Sequence, residues 1–153
     1  MDPAFMEQAL AEAQKAWQLD EVPIGAVVVR NGTVIGRGHN LREKGKDPTL
    51  HAEMIAIRQA SAALGGWRLM DCDLYVTVEP CPMCAGAILQ ARIQRVIFGA
   101  RDPKAGCAGS LYNLLDDPRF NHRAEVMEGI LEDRCSRILK DYFRWKRSGN
   151  LDS

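Results

Sequence analysis

From His51 onward, helical and extended patterns alternate almost to the end of the chain, and this alternation restricts the fold more than any other feature of the sequence. His51 to Leu64 carries Met54, Ile55, Ile57 and Ala60 among its apolar positions and stops at Gly65-Gly66, as a helix with a glycine end does. Leu74 to Val78 reads as a strand, Pro82 to Ala91 as a helix, and Arg95 to Gly99 and Arg123 to Met127 as further strands. Leu131 to Trp145 reads as the last helix. Upstream, Met6, Leu10, Ala13 and Trp17 share one helical face, and Val22-Pro23 closes that pattern. Ile24 to Arg30 and Thr33 to His39 flank the tight-turn dipeptide Asn31-Gly32, which predicts a hairpin. Together these runs predict an α/β domain of three layers, α/β/α. A central mixed five-stranded sheet, parallel in its second half, carries helices on both faces.

The chain has 153 residues, a length suited to one core that needs no disulfide staples. Residues 6–153 are read as a single domain ending in a basic helix, and Met1 to Phe5, ahead of a second methionine at Met6, as an expression-derived leader without function. Lys and Arg number 20 and Asp and Glu number 20, so no long-range field attracts polyanions, and any nucleic-acid binding is local. Double-stranded DNA is not an expected partner, because duplex binding relies on neutralising many phosphates. Five cysteines and no signal-like apolar start point to a reducing compartment, and the expected location is cytoplasmic. No apolar run approaches the roughly 20 residues that cross a bilayer, so membrane insertion is not expected.

Pro80-Cys81-Pro82-Met83-Cys84 places two thiols three residues apart at a helix start, on one face. Tetrahedral zinc with Zn–S near ~2.3 Å asks for sulfurs roughly 3.8 Å apart, which such neighbours can supply. Alone, the spacing also fits a redox pair, half of a structural zinc site, or two buried thiols. His51-Ala52-Glu53 adds one nitrogen ligand and one carboxylate. Three protein ligands and one open position describe a catalytic zinc rather than a structural one, and no second Cys-x-x-Cys is present to close the shell. Residues two apart on a regular helix diverge by about 200°, so His51 and Glu53 share a pocket only if His51 sits at the helix end. Taken alone, this pair reads as a core histidine and a capping carboxylate; with the cysteines it reads as metal ligand and proton carrier. Glu53 would accept a proton from a zinc-activated water and return it to a ring nitrogen and then to the leaving amine. Cys72, Cys107 and Cys135 are spaced singly and read as small core residues.

His-Ala-Glu followed by Pro-Cys-x-x-Cys resembles the signature of the cytidine-deaminase-like zinc deaminases. Glu21-Val22-Pro23-Ile24-Gly25-Ala26, Glu79 to Ala87, Phe98 to Gly106 and Asn121-His122-Arg123 carry a closer likeness, to the bacterial tRNA-specific adenosine deaminases. That likeness runs from Met6 to Arg147. It implies the cytidine-deaminase-like fold and hydrolytic conversion of adenosine to inosine at the wobble position, the first of the anticodon, of a tRNA expected to be an arginine tRNA. It also implies one zinc per subunit on His51, Cys81 and Cys84, Glu53 as proton shuttle, and a homodimer with RNA lying across both subunits. By matching position, the amide of Cys81 and the side chain of Asn40 are expected to hold the altered base. Without the resemblance, Asn40 is an ordinary turn residue. Ala26 and Val27 match positions that wall the purine pocket, and buried strand packing accounts for them equally well.

In residues 134–147, six cations stand against Asp141 alone, with Tyr142, Phe143 and Trp145 among them. Aromatic faces for unstacked bases beside cations for phosphates suit an anticodon stem-loop. An amphipathic helix with Cys135, Ile138, Leu139 and Tyr142 turned inward explains part of the same pattern. By position in the family's tail, Phe143 and Arg144 are the first candidates for RNA contact. Asp102 and Lys104, in a glycine-rich loop, are the second, with a structural turn as the alternative. Two rival functions remain open: a zinc deaminase of a free base, nucleoside or nucleotide such as cytidine, deoxycytidylate or guanine, and a nucleic-acid-binding module with structural zinc.

Overall fold

The computed structural model describes residues 2–149; the ends of the expected chain, Met1 and 150–153, lie outside the described residues. In chain order the elements are α1 (Pro3–Gln18), β1 (Gly25–Arg30), β2 (Thr33–His39), α2 (Ala52–Leu64), β3 (Cys72–Val78), α3 (Pro82–Ala91), β4 (Arg95–Ala100), a short 3₁₀ turn (Leu114–Asp116), β5 (Glu125–Glu128) and α4 (Glu132–Arg147). The strands form one sheet in the order β2-β1-β3-β4-β5. β1 runs antiparallel to β2 and β3, while β3, β4 and β5 are parallel. The mixed sheet with a parallel second half is therefore as the alternation predicts.

Side chains alternate across the strands and divide the core in two. Ala26, Val28, Leu74, Val76, Val96 and Phe98 pack with the inner faces of α2 and α3. Val27, Val29, Tyr75 and Ile97 point the other way, to residues of α1 and α4 such as Met6, Leu10 and Cys135. Helices thus cover both faces.

Residues Pro3 to Phe5 form the first turn of α1. Asp2 caps that turn, its side chain accepting the amide of Ala4 at 2.9 Å, and Pro3 supplies the fixed φ that suits a first helical position. The Asp2 amide donates to the Tyr75 hydroxyl and the Phe5 ring meets the Tyr75 ring, so these residues seal one face of β3.

Strand direction decides where a site can form. β3 and β4 end at the same edge of the sheet; β1 begins there and β2 finishes there, with Gly25 opposite His39. The starts of α2 and α3 reach this same edge. α2 lies close on β2 because Ala52, Ala56 and Ala60, one helical turn apart, meet Gly36 and Gly38. A Cβ on either glycine would strike the backbone of α2.

Candidate active site

His51 is the cap residue of α2, with φ −81 and ψ 154, so its backbone is still extended and its ring is free to leave the helix axis. Cys81 holds the same place at α3, with φ −76 and ψ 175. The ring nitrogen Nδ1 of His51 lies 3.5 Å from Sγ of Cys81 and 3.5 Å from Sγ of Cys84. All three ligand atoms fall within 4.8 Å of one another. A tetrahedral zinc with ordinary bond lengths would hold nitrogen and sulfur roughly 3.6 Å apart, so the donor set fits that ion in both chemistry and spacing.

The charges fit as well. Hydrogen bonding from Cys84, with His51 beside it, brings the Cys81 thiol down to about 4, so this sulfur is a thiolate. Cys84 is pushed up because it donates to Cys81 and is buried. His51 is raised, first by its hydrogen bond with Cys81. An acidified sulfur, a second buried sulfur and an imidazole thus share one small volume, a donor set suited to a divalent cation.

Glu53, in the first turn of α2, is 4 % exposed. Burial pushes its carboxyl up to about 7, within reach of both protonation states near neutrality. It lines a cavity of about 220 Å³ together with Asn40, His51, Ala52 and Cys81. Val22, Ile24 and Val78 give that cavity an apolar wall; Arg42, Glu79, Asp102 and Ala105 complete it.

Asn40 faces this cavity, and its amide also ties down the local chain: Nδ2 donates to the Val22 carbonyl at 3.3 Å and Oδ1 accepts from the Arg42 amide at 3.1 Å. Asp102 reaches the wall while its Oδ1 accepts the amides of Lys104 and Ala105, a side-chain-closed turn. Lys104 stands outside the wall. Ala26 is buried on the α2 face of the sheet, behind the wall. Val27 does not wall the pocket: it is one residue along the same strand, so its side chain enters the opposite core beside α1.

On α4 the aromatics divide. Tyr142 is buried, its hydroxyl donating to Oδ1 of Asp20 at 2.9 Å, and Trp145 packs against Trp17 and Tyr142. Phe143 is 42 % exposed, and Arg144 is exposed with a 3.3 Å ion pair to Asp141. Neither lies in the cavity. A groove formed by Lys44, Tyr142 and Lys146 shares Val22 and Arg42 with it, so the end of α4 adjoins its mouth. Cys72, Cys107 and Cys135 are buried single thiols, as their spacing suggests.

Arg42 and Glu79 went without a role in the sequence reading. Arg42 gives no pattern to find. Glu79 does give one: it is a carboxylate directly after the end of a buried strand, where a charge demands partners.

A sheet of this order, with a His-Cys-Cys cluster and a buried glutamate at the ends of its strands, defines the cytidine-deaminase-like deaminases. The MafB19-like deaminase family matches residues 2–147. A tRNA-specific adenosine deaminase of Bacillus subtilis (strain 168) is 54 % identical over 143 residues, covering 94 % of this chain and 89 % of that protein. A solved tRNA:A34 deaminase, studied for A-to-I editing at the wobble position of transfer RNA, superimposes with a TM-score of 0.87. It is 48 % identical, and the match covers 90 % of this chain and 100 % of that one. A guanine deaminase from Bacillus subtilis matches with a TM-score of 0.64 at 33 % identity, over 98 % of this chain and 97 % of that one. The chain belongs to the tRNA-specific adenosine deaminase family.

Proposed function

We propose that the protein hydrolytically deaminates adenosine to inosine at the first anticodon position of a tRNA, with an arginine tRNA as the expected substrate. The observation that carries the reading is the His51, Cys81 and Cys84 triangle beside the buried carboxylate of Glu53, with His51, Cys81 and Glu53 lining one cavity.

Zinc held by those three side chains would acidify a water and so supply a nucleophile at neutral pH. Glu53 accepts a proton from the attacking water and delivers it to N1 of the purine as the oxygen bonds to C6, then takes the remaining proton of the new C6 hydroxyl and passes it to the 6-amino group, so that the C6–N bond breaks and ammonia leaves. Its raised pKa suits a group that must both take and give a proton. Val22, Ile24 and Val78 shield the base from water, and the Asn40 amide and the Cys81 backbone N–H orient its polar edge. Adenine inside a helix is out of reach of this cavity, so the base must leave its stack, which costs least in a loop.

Phe143 and Arg144, exposed beyond the cavity, are assigned to the anticodon stem-loop outside the target nucleotide, and Asp102 and Lys104 to the near rim. A homodimer is inferred as well, supported by Leu111, Tyr112 and Phe120, large apolar side chains that the segment after β4 leaves exposed. A cytoplasmic location accords with a tRNA substrate; among the described residues no helix is long and apolar enough to cross a membrane.

The match to a guanine deaminase keeps a free-base substrate as the second reading. Incubation with an arginine-tRNA anticodon stem-loop beside free adenosine, cytidine and guanine separates the two. Inosine is expected in the RNA alone, and turnover of a free base with inert RNA would reject the tRNA reading.

A further inference from the structure

Glu79 follows the last residue of β3 and is 3 % exposed, yet nothing in the chemistry above uses it. All four of its acceptor positions are filled by one loop. Oε1 accepts the Asp102 amide at 3.0 Å and the Ser110 hydroxyl at 2.5 Å, and Oε2 accepts the amides of Ala108 at 3.0 Å and Ser110 at 2.9 Å. Only a carboxylate can serve four donors at this length of side chain. A glutamine would set an NH₂ against the Ala108 and Ser110 amides in one orientation and against the Asp102 amide in the other, where the Ser110 hydroxyl could turn to accept.

The loop is shaped to receive this group. Gly106 passes so close that a Cβ there would fall on the Glu79 carboxyl. Its amide closes a turn onto the Asp102 carbonyl at 2.8 Å, and the next amide, Cys107, donates to the Pro80 carbonyl at 2.8 Å. Residues 102–110 are therefore wrapped around the end of β3 by side-chain and backbone bonds together. They carry Asp102 and Ala105, which with Glu79 line the cavity that His51, Glu53 and Cys81 also line.

We propose that Glu79 is a positioning residue for deamination: by fastening 102–110 to the end of β3 it sets the wall against which the substrate base is seated. The inference rests on reading this cavity as the substrate pocket. A side chain that merely held the fold together would affect melting and metal content. One that sets a pocket wall acts on substrate recognition while the rest of the domain stays closed.

Zinc-loaded wild type, Glu79→Gln and Ser110→Ala are to be compared on the anticodon stem-loop for kcat and KM, with zinc content and amide hydrogen exchange measured on the same preparations. For Glu79→Gln we expect KM to rise about tenfold or more with kcat changed less than about threefold, and one zinc per chain retained. Exchange at Asp102, Ala108 and Ser110 should quicken by about tenfold or more while the sheet amides keep their rates. Ser110→Ala, which removes one donor and leaves β3 intact, should give a smaller shift of the same kind. Should Glu79→Gln fail to fold, Ser110→Ala decides alone. Unchanged KM and unchanged loop exchange in that variant would overturn the proposal, as would faster exchange spread through the whole sheet. A wild type inert on the RNA rejects the tRNA reading instead, and the exchange measurement still tests the fastening.

Discussion

His51 and Glu53 reach one cavity although a regular helix would turn them about 200° apart. They do so because His51 is not yet helical: its extended ψ of 154 swings the ring back toward the cysteines while Glu53 takes the first turn of α2. On the proposed function the two residues divide the work, one holding the metal and one transferring protons. Glu53→Ala should keep one zinc per chain and lose turnover by about 10³-fold or more, at the upper part of what a positioned acid-base group contributes. Zinc analysis and single-turnover deamination on one preparation check this, and activity within tenfold of wild type would remove Glu53 from the mechanism. Cys84→Ala acts on the other function. It leaves two ligands, so zinc should be lost, along with the stabilisation that binding confers, about 4 kcal/mol for a site kept at a thousandfold excess over its dissociation constant. Thermal melts with and without chelator should therefore differ for wild type and coincide for the variant.

Elements bring these side chains together through contacts that depend on absent atoms. α2 can deliver His51 to the cysteines only because Gly36 and Gly38 let its backbone settle on β2. Gly38→Val would place a Cβ against the Ala52 carbonyl and the Ala56 amide, at the turn that begins with His51. We expect a loss of about 1 to 3 kcal/mol from overpacking and weaker zinc retention, while valine at the exposed Arg37 of the same strand, which gives up only a surface hydrogen bond to Gln8, changes stability by less than about 0.5 kcal/mol. Equal melts for the two variants would show that α2 yields without cost. How far the sequence foretells such elements depends on the range of the interaction. β2 and α3 have the bounds that turn dipeptide and proline predict, because their signals are local. β5 starts two residues later than expected and is an edge strand of four residues, whose pattern is too short to fix its ends. The first turn of α1 has its local signals in Asp2-Pro3, a cap and a first-turn proline, while the apolar periodicity that predicts the helix begins only at Met6. Val27 shows the reverse case: strand period alone separates it from Ala26, so the two cannot share a pocket wall. The loop 102–110 could not be read locally, since its shape comes from a carboxylate more than twenty residues earlier.

At the scale of the whole molecule, balanced charge leaves RNA binding to a short stretch of surface. The six cations of residues 134–147 are not equally available for it. Arg134 pairs with Glu7, Arg144 with Asp141 and Lys146 with Asp20. Arg137 and Lys140 make no such pair among the described residues and stand with Arg144 along one shallow groove. About three phosphates neutralised there would give binding a log–log salt slope of roughly −2, at about 0.7 per contact for single-stranded RNA. Raising salt from ~50 to ~200 mM should then weaken stem-loop binding by about 20-fold, against 10³-fold or more for a protein with six to ten phosphate contacts. The double variant Arg137→Ala, Lys140→Ala should flatten the slope by about 1.4 and leave the rate of the chemical step at saturating RNA unchanged, because neither residue lines the cavity. A slope that the double variant does not change would move the RNA path off α4, to the side where Arg42 and Lys44 border the mouth of the site.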